Sequence, residues 1–206
     1  MNRCVIIAGA DINNYENAKK YLIDDDFIIC CDCGLRHLQK LNVKPNLIVG
    51  DFDSHKNPHL PVETIVLPCE KDDTDTGFAV KEALKRGAND FLFLGVIGNR
   101  FDHSFANISI LLMLDTLGKS ALAIDDFSEL QIISSQKAFI SDEFSFFSLL
   151  NVSGTAEGIS IKNAKYPLEN AIIKSEDQYG ISNQVLPNQI AEVSIQKGRL
   201  LLIRVK

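Results

Sequence analysis

No tryptophan occurs in this chain of 206 residues, so no indole can serve any ligand site. Aromatic residues make up only 8%. Long hydrophobic runs are missing as well. Stretches such as Ile108-Ser109-Ile110-Leu111-Leu112-Met113-Leu114 fall well short of the roughly 20 residues that span a bilayer, which excludes a helical membrane protein. Basic residues are in deficit, 21 against 27 acidic ones, for a formal charge of −6, and no local basic patch offsets it. Such a surface repels the phosphate backbone, so nucleic acid is not an expected partner, and an anionic ligand needs a metal or a few placed cations. The five cysteines are odd in number, with Cys30, Cys31 and Cys33 almost adjacent, which fits reduced thiols better than a disulfide framework. A metal pair at Cys31 and Cys33 lacks a second Cys or His pair at suitable spacing. The run Met1 to Ala8 reads better as a first strand than as a signal peptide, so the expected compartment is the cytoplasm.

What the chain does have is a globular composition, 46% hydrophobic and 23% charged, in a length that suits one generous domain or two small ones. Up to residue 119, short apolar runs (Val5 to Ala8, Phe27 to Asp32, Leu47 to Gly50, Thr64 to Leu67, Phe91 to Val96) alternate with helical stretches (Asn13 to Ile23, Leu35 to Leu41, Asp75 to Arg86, Phe101 to Leu117). This alternation predicts right-handed crossovers and a mostly parallel, Rossmann-like α/β sheet. After Leu117-Gly118-Lys119 helical periodicity stops. Seven short strands follow, Ala121 to Ile124, Glu129 to Ile133, Phe144 to Leu150, Gly158 to Ile161, Ala171 to Ile173, Glu192 to Gln196 and Leu200 to Val205. They predict an antiparallel β-sandwich over 120–206, with the last two strands joined as a hairpin through Lys197-Gly198-Arg199.

Candidate chemistry gathers where strands end. Between Asp51 and Asp75 stand seven acids and two lysines. Asp51 and Asp53 directly follow the run Leu47 to Gly50, at the carboxyl end of a strand, where open α/β sheets bind ligands. Two residues apart, they are expected to point to one side of an extended segment while Phe52 points the other way. Such a carboxylate pair suits a hard cation such as Mg²⁺, which takes oxygen ligands and shares them with substrate phosphates. A second acidic segment, Lys71-Asp72-Asp73-Thr74-Asp75, opens a helix; capping accounts for one of these residues but not for four. The third element, Gly98-Asn99-Arg100-Phe101-Asp102-His103, is a glycine turn feeding a helix, where backbone amides and the Arg100 guanidinium suit phosphate. His103 and Asn107 share a face of that helix.

These segments, with Cys31-Asp32-Cys33-Gly34-Leu35-Arg36-His37-Leu38, Pro45 to Ser54 and Tyr179-Gly180-Ile181-Ser182-Asn183, resemble in order and spacing the thiamine pyrophosphokinase family. The resemblance covers nearly the whole chain. It implies an α/β catalytic domain over 1–119 and a β-sandwich over 120–206, assembled as a homodimer whose sites lie between the catalytic domain of one chain and the sandwich of the other. The implied reaction is ATP + thiamine → AMP + thiamine diphosphate. By position, Asp32, Asp51, Asp53 and Asp75 fall to the acidic centre, with Mg²⁺ on Asp51, Asp53 and Asp75. Asp72, Thr74, Arg100, Asp102 and His103 fall to the nucleotide, Ser182 and Asn183 to thiamine, and Asp75 is the expected acceptor of the hydroxyl proton. The chain departs from the family pattern at Cys31-Asp32-Cys33-Gly34, where Ala-Asp-Gly-Gly is usual, and at Asn163-Ala164-Lys165-Tyr166-Pro167-Leu168. Rival readings are a pyrophosphokinase acting on a hydroxymethyl-pterin, a phosphatase with Asp51 as nucleophile, and a non-catalytic nucleotide or thiamine sensor.

Overall fold

Near-continuous apolar runs mark strands covered on both faces, and five of the six strands of the first unit have this character. The structure, a computed structural model, describes residues 2–52, 60–70 and 72–206. They divide into two units, Met1–Asp126 and Phe127–Lys206. The first contains β1 (Arg3–Ile7), β2 (Phe27–Cys31), β3 (Leu47–Gly50), β4 (Glu63–Val66), β5 (Asp90–Leu94) and β6 (Ser120–Ile124). Their order is β4-β3-β2-β1-β5-β6, and every pairing is parallel. The strand β6 was expected in the antiparallel part. It joins the parallel sheet instead, Leu122 standing beside Leu92 of β5, so this unit extends past the point where helical periodicity stops.

The helices are α1 (Tyr15–Lys19), α2 (Leu38–Leu41), α3 (Asp75–Lys85) and α4 (Phe101–Thr116). The first is shorter than its sequence pattern suggested. Ahead of α2 the chain makes a 3-10 turn over Asp32–His37 rather than starting an α-helix at Leu35. The turn packs closely on β1: a Cβ on Gly34 would lie 2.3 Å from the Ile7 carbonyl oxygen. The helix α3 starts under a Thr74 cap, whose hydroxyl accepts from Gly77 N–H at 3.0 Å, and buries Thr76, Ala79, Val80 and Ala83. Ser104, Asn107, Leu111 and Leu114 form the buried face of α4. No helix among the described residues is long and apolar enough to cross a membrane.

The second unit contains β7 (Ser128–Ile133), β8 (Ala138–Ser141), β9 (Phe146–Asn151), β10 (Thr155–Lys162), β11 (Leu168–Lys174), β12 (Ile190–Ser194) and β13 (Leu200–Val205). Strands β7-β13-β9 form one antiparallel layer and β11-β10-β12-β8 another. Phe147, Leu149, Leu200 and Leu202 of the first layer share a core with Ile140, Ile159, Ile161 and Val193 of the second, which is a sandwich. The hairpin expected at Lys197-Gly198-Arg199 does not form, because β12 and β13 belong to different layers. Gly198 takes φ +93° and carries the chain across the core.

The segment 180–183 runs along β9. Phe147 and Asn183 exchange both backbone hydrogen bonds at 2.9 Å, and Leu149 N–H donates to the Gly180 carbonyl at 2.8 Å. Buried Asn183 is the bracket of this region: its Oδ1 accepts from Tyr166 N–H (3.0 Å) and Gln184 N–H (2.9 Å), and its Nδ2 donates to the Tyr166 carbonyl (2.7 Å). Alanine at 183 would take the side-chain partner from three part-buried backbone groups, the Tyr166 N–H and carbonyl and the Gln184 N–H. We predict a loss of about 2–3 kcal/mol in the urea unfolding free energy of Asn183→Ala, and an unchanged midpoint would refute the bracket.

Candidate active site

The sheet order places a topological switch at β1. From β1 the chain winds outward through β2, β3 and β4, then α3 returns it to β5 on the other side of β1. Loops leaving β1 and β5 therefore diverge and open a crevice at the strands' carboxyl ends. A cleft of about 580 Å³ lies there, lined among others by Ala10, Asp32, Asp51, Asp75 and Arg100.

Three elements each deliver one carboxylate. Asp32 stands at the end of β2, Asp51 at the end of β3 and Asp75 at the first position of α3. One oxygen from each lies within 4.8 Å of the other two. Asp32 is buried at 3% exposure, and its Oδ1 accepts from Cys33 N–H. Gly50 makes this approach possible: a Cβ there would fall 2.5 Å from the Asp32 Cβ and 3.1 Å from its Cγ. An all-oxygen set from three carboxylates has the chemistry of a hard divalent-cation site. The sulfurs nearby do not. Cys31 is buried and its thiol is pushed well up, chiefly by burial, and Cys33 is pushed up to about 12 by burial and then by Asp32, so both stay protonated.

Asp53 lies outside the described residues. At Phe52, next to Asp51, the backbone has φ +57° and is left-handed rather than extended. Thr74 and His103 line the cleft, whereas Asp72 and Asp102 are exposed and outside its lining. Asp102 instead receives the Arg100 fork, Nε to Oδ1 at 3.0 Å and Nη2 to Oδ2 at 2.7 Å, and this bond holds its carboxyl below the usual range. Ser182 and Asn183 belong to the second unit. There Ser182 is exposed with φ +57° and the Asn183 amide holds the Tyr166 loop, so the thiamine role expected for this pair gains no direct geometric support from the unit itself.

Sequence reasoning missed one wall of the cleft, Ala8-Gly9-Ala10-Asp11, whose only signal is small residues after a strand. This wall is fixed from the 3-10 turn. Arg36 Nη2 donates to the Gly9 carbonyl and to Asp11 Oδ1, the latter at 2.8 Å. Buried His37 reaches the Ala10 carbonyl with Nε2 at 2.9 Å and Tyr15 Oη with Nδ1 at 2.7 Å. The Ala10 carbonyl only accepts, and its 2.9 Å contact favours the proton on Nε2, with Nδ1 accepting from the tyrosine; Arg36 Nε approaches the same Nε2 at 3.3 Å, which favours the other tautomer. Burial, then Arg36, lowers the His37 pKa from its usual 6.5, with Ala10, Asp11 and Lys40 as smaller influences. The native state thus resists protonation that the unfolded chain accepts. Stability is complete above pH 6.5 and falls as pH drops from there toward the lowered pKa. We predict that unfolding midpoints at pH 7.5 and 5.0 differ less in His37→Gln than in the natural chain; an equal difference would show that His37 is not the titrating group.

With the geometry in view, comparison with known proteins is direct. Residues 18–122 match the family described as thiamin pyrophosphokinase, catalytic domain, and residues 132–200 match thiamin pyrophosphokinase, vitamin B1 binding domain. The thiamine pyrophosphokinase of Bacillus subtilis (strain 168) is 26% identical over 207 residues, covering 97% of this chain and 96% of that one. The crystal structure of the B. subtilis protein superposes with a TM-score of 0.88 at 24% identity, covering 100% of this chain and 99% of that one. That of Geobacillus thermodenitrificans thiamin pyrophosphokinase does so at 0.83 and 24%, covering 99% and 97%. The two family matches fall in chain order, one in each unit, and Asp32, Asp51 and Asp75 lie within the first of them: the chain belongs to the thiamin pyrophosphokinase family.

Proposed function

We propose that this enzyme transfers the pyrophosphoryl group of ATP to the hydroxyl of thiamine, releasing AMP. The observation that carries the reading is the convergence of Asp32, Asp51 and Asp75 at the sheet's switch point, in a chain matched by both family domains. In the balanced step the thiamine oxygen attacks the β-phosphorus, the bond from that phosphorus to the α,β-bridging oxygen breaks, and AMP departs with the bridging oxygen. The hydroxyl proton passes to a carboxylate, for which Asp75 is our assignment.

Alignment and charge neutralisation dominate phosphoryl chemistry of this kind. Asp32, Asp51 and Asp75 would hold Mg²⁺, which when bound offsets the charge of the phosphate oxygens. Arg100 offers a planar fork of donors to the same oxygens, at the cost of its bond to Asp102. The free amides at the start of α3 add positive potential beside Asp75. The acidic cleft also attracts the cationic thiazolium ring of the acceptor, so one negative region serves both ligands. We assign thiamine recognition to the second unit through Ser182 and Asn183, and the working state to a homodimer that brings each cleft to a partner's sandwich. Mixing Asp51→Asn and Ser182→Ala chains tests that assembly: recovered activity in verified heterodimers supports it, and none refutes it.

Incubation with ATP, Mg²⁺ and thiamine should yield AMP and thiamine diphosphate in equal amounts, and formation of ADP would contradict the reaction. Asp51→Asn and Asp75→Asn should each lower turnover at least about a hundredfold, the scale for removing a preorganised electrostatic group. Gly50→Ala should fall comparably while remaining folded, since its methyl displaces Asp32; near-normal turnover there would show that the triad does not need its observed spacing.

A further inference from the structure

Arg100 faces a physical problem that the phosphate-binding role does not solve. It caps α4 with backbone angles of φ −80° and ψ 88°, and its side chain is 72% exposed. Its partner Asp102 is 65% exposed, and an ion pair so open to solvent does little to fix either group. Among the described residues, what remains to place the guanidinium is the backbone that carries it.

That backbone, the turn from Val96 to Arg100, is gripped by α4. Ser104 is buried at 7% exposure; its hydroxyl oxygen accepts from Gly98 N–H at 3.0 Å and lies 3.1 Å from the carbonyl oxygens of both Gly98 and Arg100. One hydroxyl proton is shared between those two acceptors. Ser104 N–H also donates to the Arg100 carbonyl at 2.9 Å. One turn further along the helix, buried Asn107 donates from Nδ2 to the Val96 carbonyl at 2.7 Å. On its other side the turn meets the β1 loop, where a Cβ on Gly98 would come within 2.7 Å of the Ala10 Cβ. A serine bonding the carbonyl four residues back is common in helices. Its hold on both polar groups of Gly98, six residues back, is not required to build a helix.

We infer that Ser104 is a positioning residue for the nucleotide, acting through Arg100. Its hydroxyl ties the two ends of the Gly98–Arg100 turn to the rigid buried face of α4, which sets the point from which the guanidinium reaches the phosphates. Asn107 fixes the start of the same turn. The inference rests on the pyrophosphoryl-transfer reading and adds to it a residue of the cleft lining whose hydroxyl is committed to the turn. Alanine is the best helix former, so Ser104→Ala leaves α4 intact and removes only the tie, leaving Gly98 N–H without its partner.

The test is steady-state kinetics on Ser104→Ala, Ser104→Thr, Arg100→Ala and the double variant Ser104→Ala/Arg100→Ala. Ser104→Ala should raise KM for ATP on the order of tenfold, because small displacements of a positioned group are costly, while KM for thiamine stays within about twofold. Threonine, which keeps the hydroxyl, should restore most of the loss. In the Arg100→Ala background, Ser104→Ala should add little, since the group it positions is already gone. An unchanged KM for ATP in Ser104→Ala, equal rises for both substrates, or multiplicative effects in the double variant would overturn the inference. The underlying reading fails separately, if the natural enzyme forms no AMP from ATP and thiamine.

Discussion

Three carboxylates held against their mutual repulsion are the constraint on which the rest of the first unit depends. Oxygens of Asp32, Asp51 and Asp75 approach within 4.8 Å, and like charges at that separation oppose each other by about 3 kcal/mol per pair at an effective dielectric of ~20. Each is fixed by the backbone of a different element, the ends of β2 and β3 and the start of α3, and Gly50 gives way so that Asp32 can enter. The sheet's winding order brings those elements to one crevice, so topology and charge belong to the same design.

The surrounding groups serve the same end. The Ala8–Asp11 wall is tied by Arg36 and His37 to the turn that carries Asp32, and the neighbouring Val96–Arg100 turn is tied by Ser104 and Asn107 to α4. Both are therefore rigid where ligand phosphates would lie, and the energy of ordering them is spent in folding rather than at each binding event. The second unit is built on a different principle. Its core is shared by two antiparallel layers, and its polar fixing point is the Asn183 amide.

Much of this was legible in the sequence, for reasons that differ from residue to residue. Leu47 to Gly50 could be read as a buried parallel strand because nothing in it is polar, and that placed Asp51 at a strand end. A cap somewhere in Lys71-Asp72-Asp73-Thr74-Asp75 could be read because Asp and Thr satisfy free amides at a helix start; that the cap is Thr74 came from the structure. Long-range events were not legible. The side-by-side pairing of β6 with β5 depends on a partner about 30 residues away, and a short apolar run carries no mark of parallel or antiparallel pairing. Gly198 announced a turn truthfully, but not that the turn crosses between layers. The positive φ of Phe52 was not legible either, since a non-glycine residue gives no warning of a left-handed conformation. Ser104 looked like an ordinary helical serine; only its distances to Gly98 distinguish it.

The central claim is that the triad accepts a divalent cation, and thermal unfolding of the natural enzyme and of Asp51→Asn, each with Mg²⁺ and with EDTA, tests it most directly. Mg²⁺ should raise the melting temperature of the natural enzyme far more than that of the variant. An equal response of both to Mg²⁺ would contradict the account.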